Sequence, residues 1–121
     1  MNIHNSYIDL APTIIRKRLV IEGISEEPFS KEGMDRYMNE LSKLMDMTIV
    51  SKPTFNFDIK YGLSSYMCWK ESGMHIYTWE KNEDRPNFFS IDIYTCKDFD
   101  IESVLKFTYS SFPIQELTWK I

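Results

Sequence analysis

Residues 88–96, Phe-Phe-Ser-Ile-Asp-Ile-Tyr-Thr-Cys, all but dictate their own conformation. Phe89, Ile91 and Ile93 fall on one parity, and Phe88, Ser90, Asp92, Tyr94 and Cys96 on the other. A period of two is the signature of a half-buried strand, with successive side chains on opposite faces of a sheet. Such a chain must build a sheet and cover its apolar face.

Residues 30–46 offer the cover. Met34, Tyr37, Met38, Leu41, Leu44 and Met45 recur at three- and four-residue steps, one apolar helical stripe, with Ser30 as N-cap after Pro28-Phe29. Three methionines could line a soft groove, but adaptable core filling is the preferred reading. A second helix begins after Asp100, with Glu102 in its first turn and Ile101, Val104, Leu105, Thr108 and Phe112 on one face; Pro113 stops it.

The remaining segments read as strands: 14–24, closed by Gly23; 48–60, broken near Pro53; 64–71, 74–80 and 88–96; and 114–121. Tyr61-Gly62 is a turn and 81–87 a polar loop. Residues 1–13 are a loosely held lead-in to a single domain spanning 1–121. The order β-α-β-β-β-β-α-β, or one strand fewer if 48–60 does not pair fully, implies an α+β, two-layer sandwich: a mostly antiparallel sheet with two helices on one face. The other sheet face needs cover, most simply from a second copy, giving a homodimer with four layers, α/β/β/α.

Composition excludes more than it suggests. The 121 residues hold four scattered glycines, too few and too far apart for a dinucleotide fingerprint or a phosphate loop. Two cysteines without a C-x-x-C pair argue against a zinc site, so no metal is expected. A net charge of −4 argues against nucleic acid as a partner. The basic run Arg16-Lys17-Arg18 reads as a solvated strand start. No stretch approaches the ~20 apolar residues of a membrane span. The first six residues do not read as a signal peptide, and two reduced thiols suit a cytoplasmic location.

The most unusual segment is Tyr61–Glu80, YGLSSYMCWKESGMHIYTWE. Tyr61-Gly62-Leu63-Ser64 is followed, eight residues after its serine, by Glu71-Ser72; Thr78-Trp79 and then Tyr94-Thr95-Cys96 come later. This pattern resembles the pyruvoyl-dependent S-adenosylmethionine decarboxylases of prokaryotic type, as a divergent member. The resemblance covers most of the chain and is strongest over 61–100.

The resemblance implies a proenzyme. Ser72 would attack the Glu71 carbonyl, and elimination and hydrolysis would leave a pyruvoyl cofactor in place of Ser72. Its ketone would form a Schiff base with the substrate amine and take up electrons as carbon dioxide leaves. Ser64 would assist processing and Cys96 would reprotonate the product carbon. Trp79, Glu80 and Phe57 are the substrate-binding candidates. The implied activity is decarboxylation of S-adenosylmethionine, supplying spermidine and polyamine biosynthesis. Two alternatives stand beside it: a same-fold decarboxylase for another substrate, such as a basic amino acid, and a non-processing relative that binds a nucleoside or a partner.

The sequence departs from the family pattern at identifiable points. Tyr77 stands where the family has the processing histidine, and Gly73 where a histidine usually follows the reactive serine. Ser64-Ser65 replaces Ser-Gly. Glu80-Lys81 replaces Pro-Glu, moving the carboxylate by one position, and the 81–87 loop is a few residues longer. A tyrosine, with a reference pKa near ~10, is a poor base but can donate to an oxyanion. His75 lies two residues earlier on the same strand face, roughly 6.6 Å away at ~3.3 Å per residue. It is either a functional substitute or a strand histidine with a satisfied hydrogen bond. Cys96 is either a partly ionisable acid at a strand end or a small buried hydrophobe.

Overall fold

The structure, a computed structural model, describes residues 1–121. The elements in chain order are β1 (Lys17–Ser25), α1 (Lys31–Leu44), β2 (Thr54–Asp58), β3 (Gly62–Trp69), β4 (Ser72–Trp79), β5 (Asn87–Thr95), α2 (Ile101–Ser111) and β6 (Ile114–Lys120). The six strands form one sheet in the order β2-β3-β4-β5-β1-β6. Every neighbouring pair is antiparallel. The α+β reading holds, with a sheet that is antiparallel throughout.

The period-two segment organises the core as expected. Phe89, Ile91 and Ile93 are fully buried, and the register sets Ile91 opposite both Ile21 and Ile76. Leu19, Met67, Trp69 and Met74 complete this inner face. Both helices cover it. Met34, Tyr37, Met38 and Leu41 of α1 are buried, as are Val104 and Thr108 of α2. The methionines are therefore core. Leu44 departs from the expected stripe and is about half exposed, at the end of the helix.

Both helix starts are capped as read. The Ser30 side chain accepts from the Gly33 N–H at 3.0 Å, and Asp100 accepts from the Ser103 N–H at 3.3 Å. The Tyr37 hydroxyl and Thr108 Oγ1 lie 2.7 Å apart, a buried link between the helices.

Strand boundaries differ from the sequence reading at several points: β3 and β4 each begin two residues early, at Gly62 and Ser72, so Gly62 is in a strand rather than a turn. β1 starts at Lys17, and Gly23 lies inside it. A Cβ at Gly23 would run into the Glu116 carbonyl oxygen and come within 2.7 Å of the Phe89 ring, so the glycine serves close packing rather than strand termination. The 48–60 segment pairs only from Thr54; before Pro53, Ile49 makes one isolated bridge to Trp69 and Val50 is exposed. Asn87 belongs to β5 and is buried, its Oδ1 accepting from the Lys81 N–H at 2.7 Å to close the 81–87 loop. The basic run is fully paired: Arg16 with Asp9, Lys17 with Asp98, Arg18 with Asp92. No helix is long and apolar enough to cross a membrane.

Candidate active site

The outer face of the sheet, away from the helices, carries Arg18 on β1, Tyr66 and Cys68 on β3, Gly73, His75, Tyr77 and Trp79 on β4, and Asp92 and Tyr94 on β5. The pairing register fixes this set: Tyr66 and Asp92 flank His75, and Ser64 and Ser90 flank Tyr77.

Ser72 follows the two-residue turn between β3 and β4, and its φ is 136°. That is a left-handed-side conformation which a residue with a Cβ holds at a cost of about 1–3 kcal/mol. The turn is held from two sides. The Glu71 carboxylate accepts from the Thr48 N–H at 2.9 Å and from Thr48 Oγ1 at 3.0 Å. The Thr48 N–H holds the Glu71 carboxyl below the usual carboxylate range, with the Lys97 charge a smaller contribution. On the other side, the Cys96 N–H donates to the Glu71 carbonyl oxygen at 2.9 Å.

The Glu71–Ser72 peptide thus combines a strained residue on its nitrogen side with a polarised carbonyl. Charge developing on that oxygen meets a donor already in place. Cys96 itself is exposed, which removes the buried-hydrophobe reading. These features fit a serine converted in place to a pyruvoyl group, because the strained residue and the polarised carbonyl flank the bond that must break.

A cavity of about 290 Å³ opens on this end of the sheet, lined by Ser72 together with Arg18, Tyr66, His75, Asp92 and Tyr94. His75 is partly exposed and makes no side-chain hydrogen bond to the protein. Its ring is flanked by Tyr66, centroids 4.4 Å apart, and Tyr77, 5.3 Å apart. Burial lowers its pKa, against a smaller opposing pull from the Asp92 carboxylate.

The other expected residues gather elsewhere. Ser64 is paired with Tyr77, Phe57 with Leu63, and Trp79 closes β4 just before Glu80. At ~3.3 Å per residue, Tyr77 lies roughly 17 Å and Trp79 roughly 23 Å along β4 from Ser72. Within one chain, Ser72, Glu71 and Cys96 share one end of the sheet, Ser64, Tyr77, Trp79, Glu80 and Phe57 lie toward the other, and His75 stands between, stacked on Tyr77. Beside Trp79 lies a larger cavity of about 660 Å³, bordered by Phe88, Arg85, Glu22 and Glu116. No cluster of three or more His, Cys, Asp or Glu side chains could hold a metal ion.

Sequence reasoning missed Thr48, Tyr66, Asp92 and Arg18. The polar positions on the outer parity of β5 were the available signal for Asp92. Thr48 reaches Glu71 across 23 residues, and nothing in its own segment marks it.

The family model for S-adenosylmethionine decarboxylase matches residues 21–120. No curated protein matches the chain.

Proposed function

The chain belongs to the S-adenosylmethionine decarboxylase family, and on that premise we propose that it is a self-processing enzyme that decarboxylates S-adenosylmethionine for polyamine synthesis. The observation that carries the self-processing is the 2.9 Å hydrogen bond from the Cys96 N–H to the Glu71 carbonyl, next to Ser72 at a φ of 136°. Ser72 Oγ adds to the Glu71 carbonyl carbon, the Cys96 amide stabilises the oxyanion, and the C–N bond breaks as the Ser72 nitrogen gains a proton. The resulting ester loses the Glu71 carboxylate by elimination across Ser72 Cα–Cβ. Water then releases ammonia and leaves the pyruvoyl group at the head of residues 72–121. That group supplies a ketone into which electrons can flow when the substrate carboxylate departs as carbon dioxide. The Cys96 thiol, exposed beside it, returns a proton to the product carbon.

The site is completed by a second copy. Trp79, Glu80 and Phe57 lie too far from Ser72 to grip the same small molecule, as do Ser64 and Tyr77. An antiparallel pairing of two outer sheet faces brings the Ser64–Trp79 end of one chain over the Ser72 end of the other, as a two-fold axis requires. The half-exposed Tyr66, Tyr77 and Tyr94 are the apolar surface such a pairing covers. We place the enzyme in the cytoplasm, in keeping with two free thiols.

Co-expression tests both parts together. Ser72→Ala and Trp79→Ala chains are each inactive alone, yet mixed two-fold dimers recover about a quarter of wild-type carbon dioxide release from carboxyl-labelled S-adenosylmethionine, because half the dimers hold one intact site. No recovery contradicts the shared site. Wild-type cleavage without turnover of S-adenosylmethionine contradicts the substrate, and favours a changed one.

A further inference from the structure

The histidine expected before the Thr78-Trp79 pair is absent, and the row Tyr66–His75–Asp92 answers that absence. Tyr66, His75 and Asp92 are direct cross-strand neighbours on β3, β4 and β5. Arg18 of β1 holds Asp92 from the far side, Nε to Oδ1 at 3.0 Å and Nη2 to Oδ2 at 2.7 Å. That fork fixes the carboxylate plane beside the imidazole. On the other side, the Tyr66 ring fills the space that Gly73 leaves open: a Cβ there would stand 3.0 Å from the Tyr66 hydroxyl and 2.6 Å from the Met67 carbonyl oxygen. Gly73, a departure from the family pattern, is thus what lets Tyr66 lie against His75. Both imidazole nitrogens are without a protein partner, and His75 and Ser72 line the same 290 Å³ cavity.

We infer that His75 is the proton acceptor for Ser72 in the self-cleavage of this chain, with the Asp92 carboxylate, clamped by Arg18, as the charge beside it. This deepens the self-processing reading and rests on it. His75 takes the Ser72 Oγ proton as Oγ bonds to the Glu71 carbonyl carbon, through water in the cavity they share, the two residues standing roughly 10 Å apart along β4 at ~3.3 Å per residue, and the proton passes to the departing Ser72 nitrogen. The negative charge of Asp92 favours the imidazolium formed midway. The groups facing His75 are Tyr66 and Cys68 from β3, Tyr77 on its own strand, and Asp92 and Tyr94 from β5, with Arg18 from β1 behind Asp92. Burial and the neighbouring Cys68 thiol push the Tyr66 hydroxyl up, so it stays a neutral donor. His75, lowered by burial, is unprotonated at neutral pH and able to accept.

The test follows cleavage of freshly translated full-length chain by intact mass across pH 5–9. In the wild type the rate rises with pH as His75 loses its proton and then levels. His75→Ala cleaves about 100-fold more slowly, loses that inflection, and is rescued by added imidazole. Asp92→Asn cleaves about tenfold more slowly, and its inflection moves to lower pH because the carboxylate that raises the His75 pKa is gone. Wild-type cleavage combined with an unchanged rate and inflection in both variants overturns the assignment of His75 alone. A wild type that never cleaves removes the self-processing reading, and this inference with it. A His75→Ala chain slowed at every pH and deaf to imidazole also overturns the assignment, since a misfolded or merely rearranged site behaves that way.

Discussion

Ser72 concentrates the account at the scale of one residue. Its φ of 136° is tolerated freely only by glycine. Ser72→Gly and Ser72→Ala both abolish the nucleophile, so neither chain cleaves, but they differ in stability. Ser72→Gly is more stable than Ser72→Ala by about 1 kcal/mol in urea unfolding, because it alone sheds the backbone strain. Equal stabilities would mean that the turn relaxes around any side chain and stores nothing. The serine was legible in the sequence through its spacing to Ser64, Trp79 and Cys96. Its strain was not, because a positive φ on a serine leaves no mark in composition or period. Thr48 was equally invisible: its bonds to Glu71 exist only once the turn after β3 meets the segment that follows α1.

Among the elements, alternation and the two apolar stripes were enough to read the order of strands and helices. What they could not supply was cross-strand register, on which the Tyr66–His75–Asp92 row depends. Residues 48–53 were misread for a related reason: Ile49 and Val50 have strand propensity, but Pro53 intervenes before the segment that pairs with β3. Gly23 was read as a stop and is a contact. Gly23→Ala should destabilise the fold by about 1–3 kcal/mol, since β1 sits between β5 and β6 and neither Phe89 nor the Glu116 backbone can withdraw cheaply. Chemical denaturation checks this, and a change below a few tenths of a kcal/mol would show that β6 shifts to make room. The Glu71 carboxyl adds a pH dependence of known sign. Its folded pKa is lowered, so its contribution to stability is present above the unfolded value and fades as pH falls through the folded one.

For the whole molecule, the sheet spreads the expected site residues along its strands, and the proposed pairing of two outer faces rests on that spread. The expectation of a second copy came from the sequence as a need to cover that face. The proposal adds a second ground for it, since Trp79 and Ser72 stand roughly 23 Å apart along one strand at ~3.3 Å per residue. A chain with four glycines and two histidines needs no phosphate loop or metal cage if its cofactor comes from Ser72. Everything downstream depends on that conversion. Intact mass spectrometry of the purified chain after long incubation at neutral pH measures it most directly. The account predicts two polypeptides, residues 1–71 and residues 72–121, the second opening with a pyruvoyl group in place of serine. A single undivided species of 14.4 kDa would contradict it.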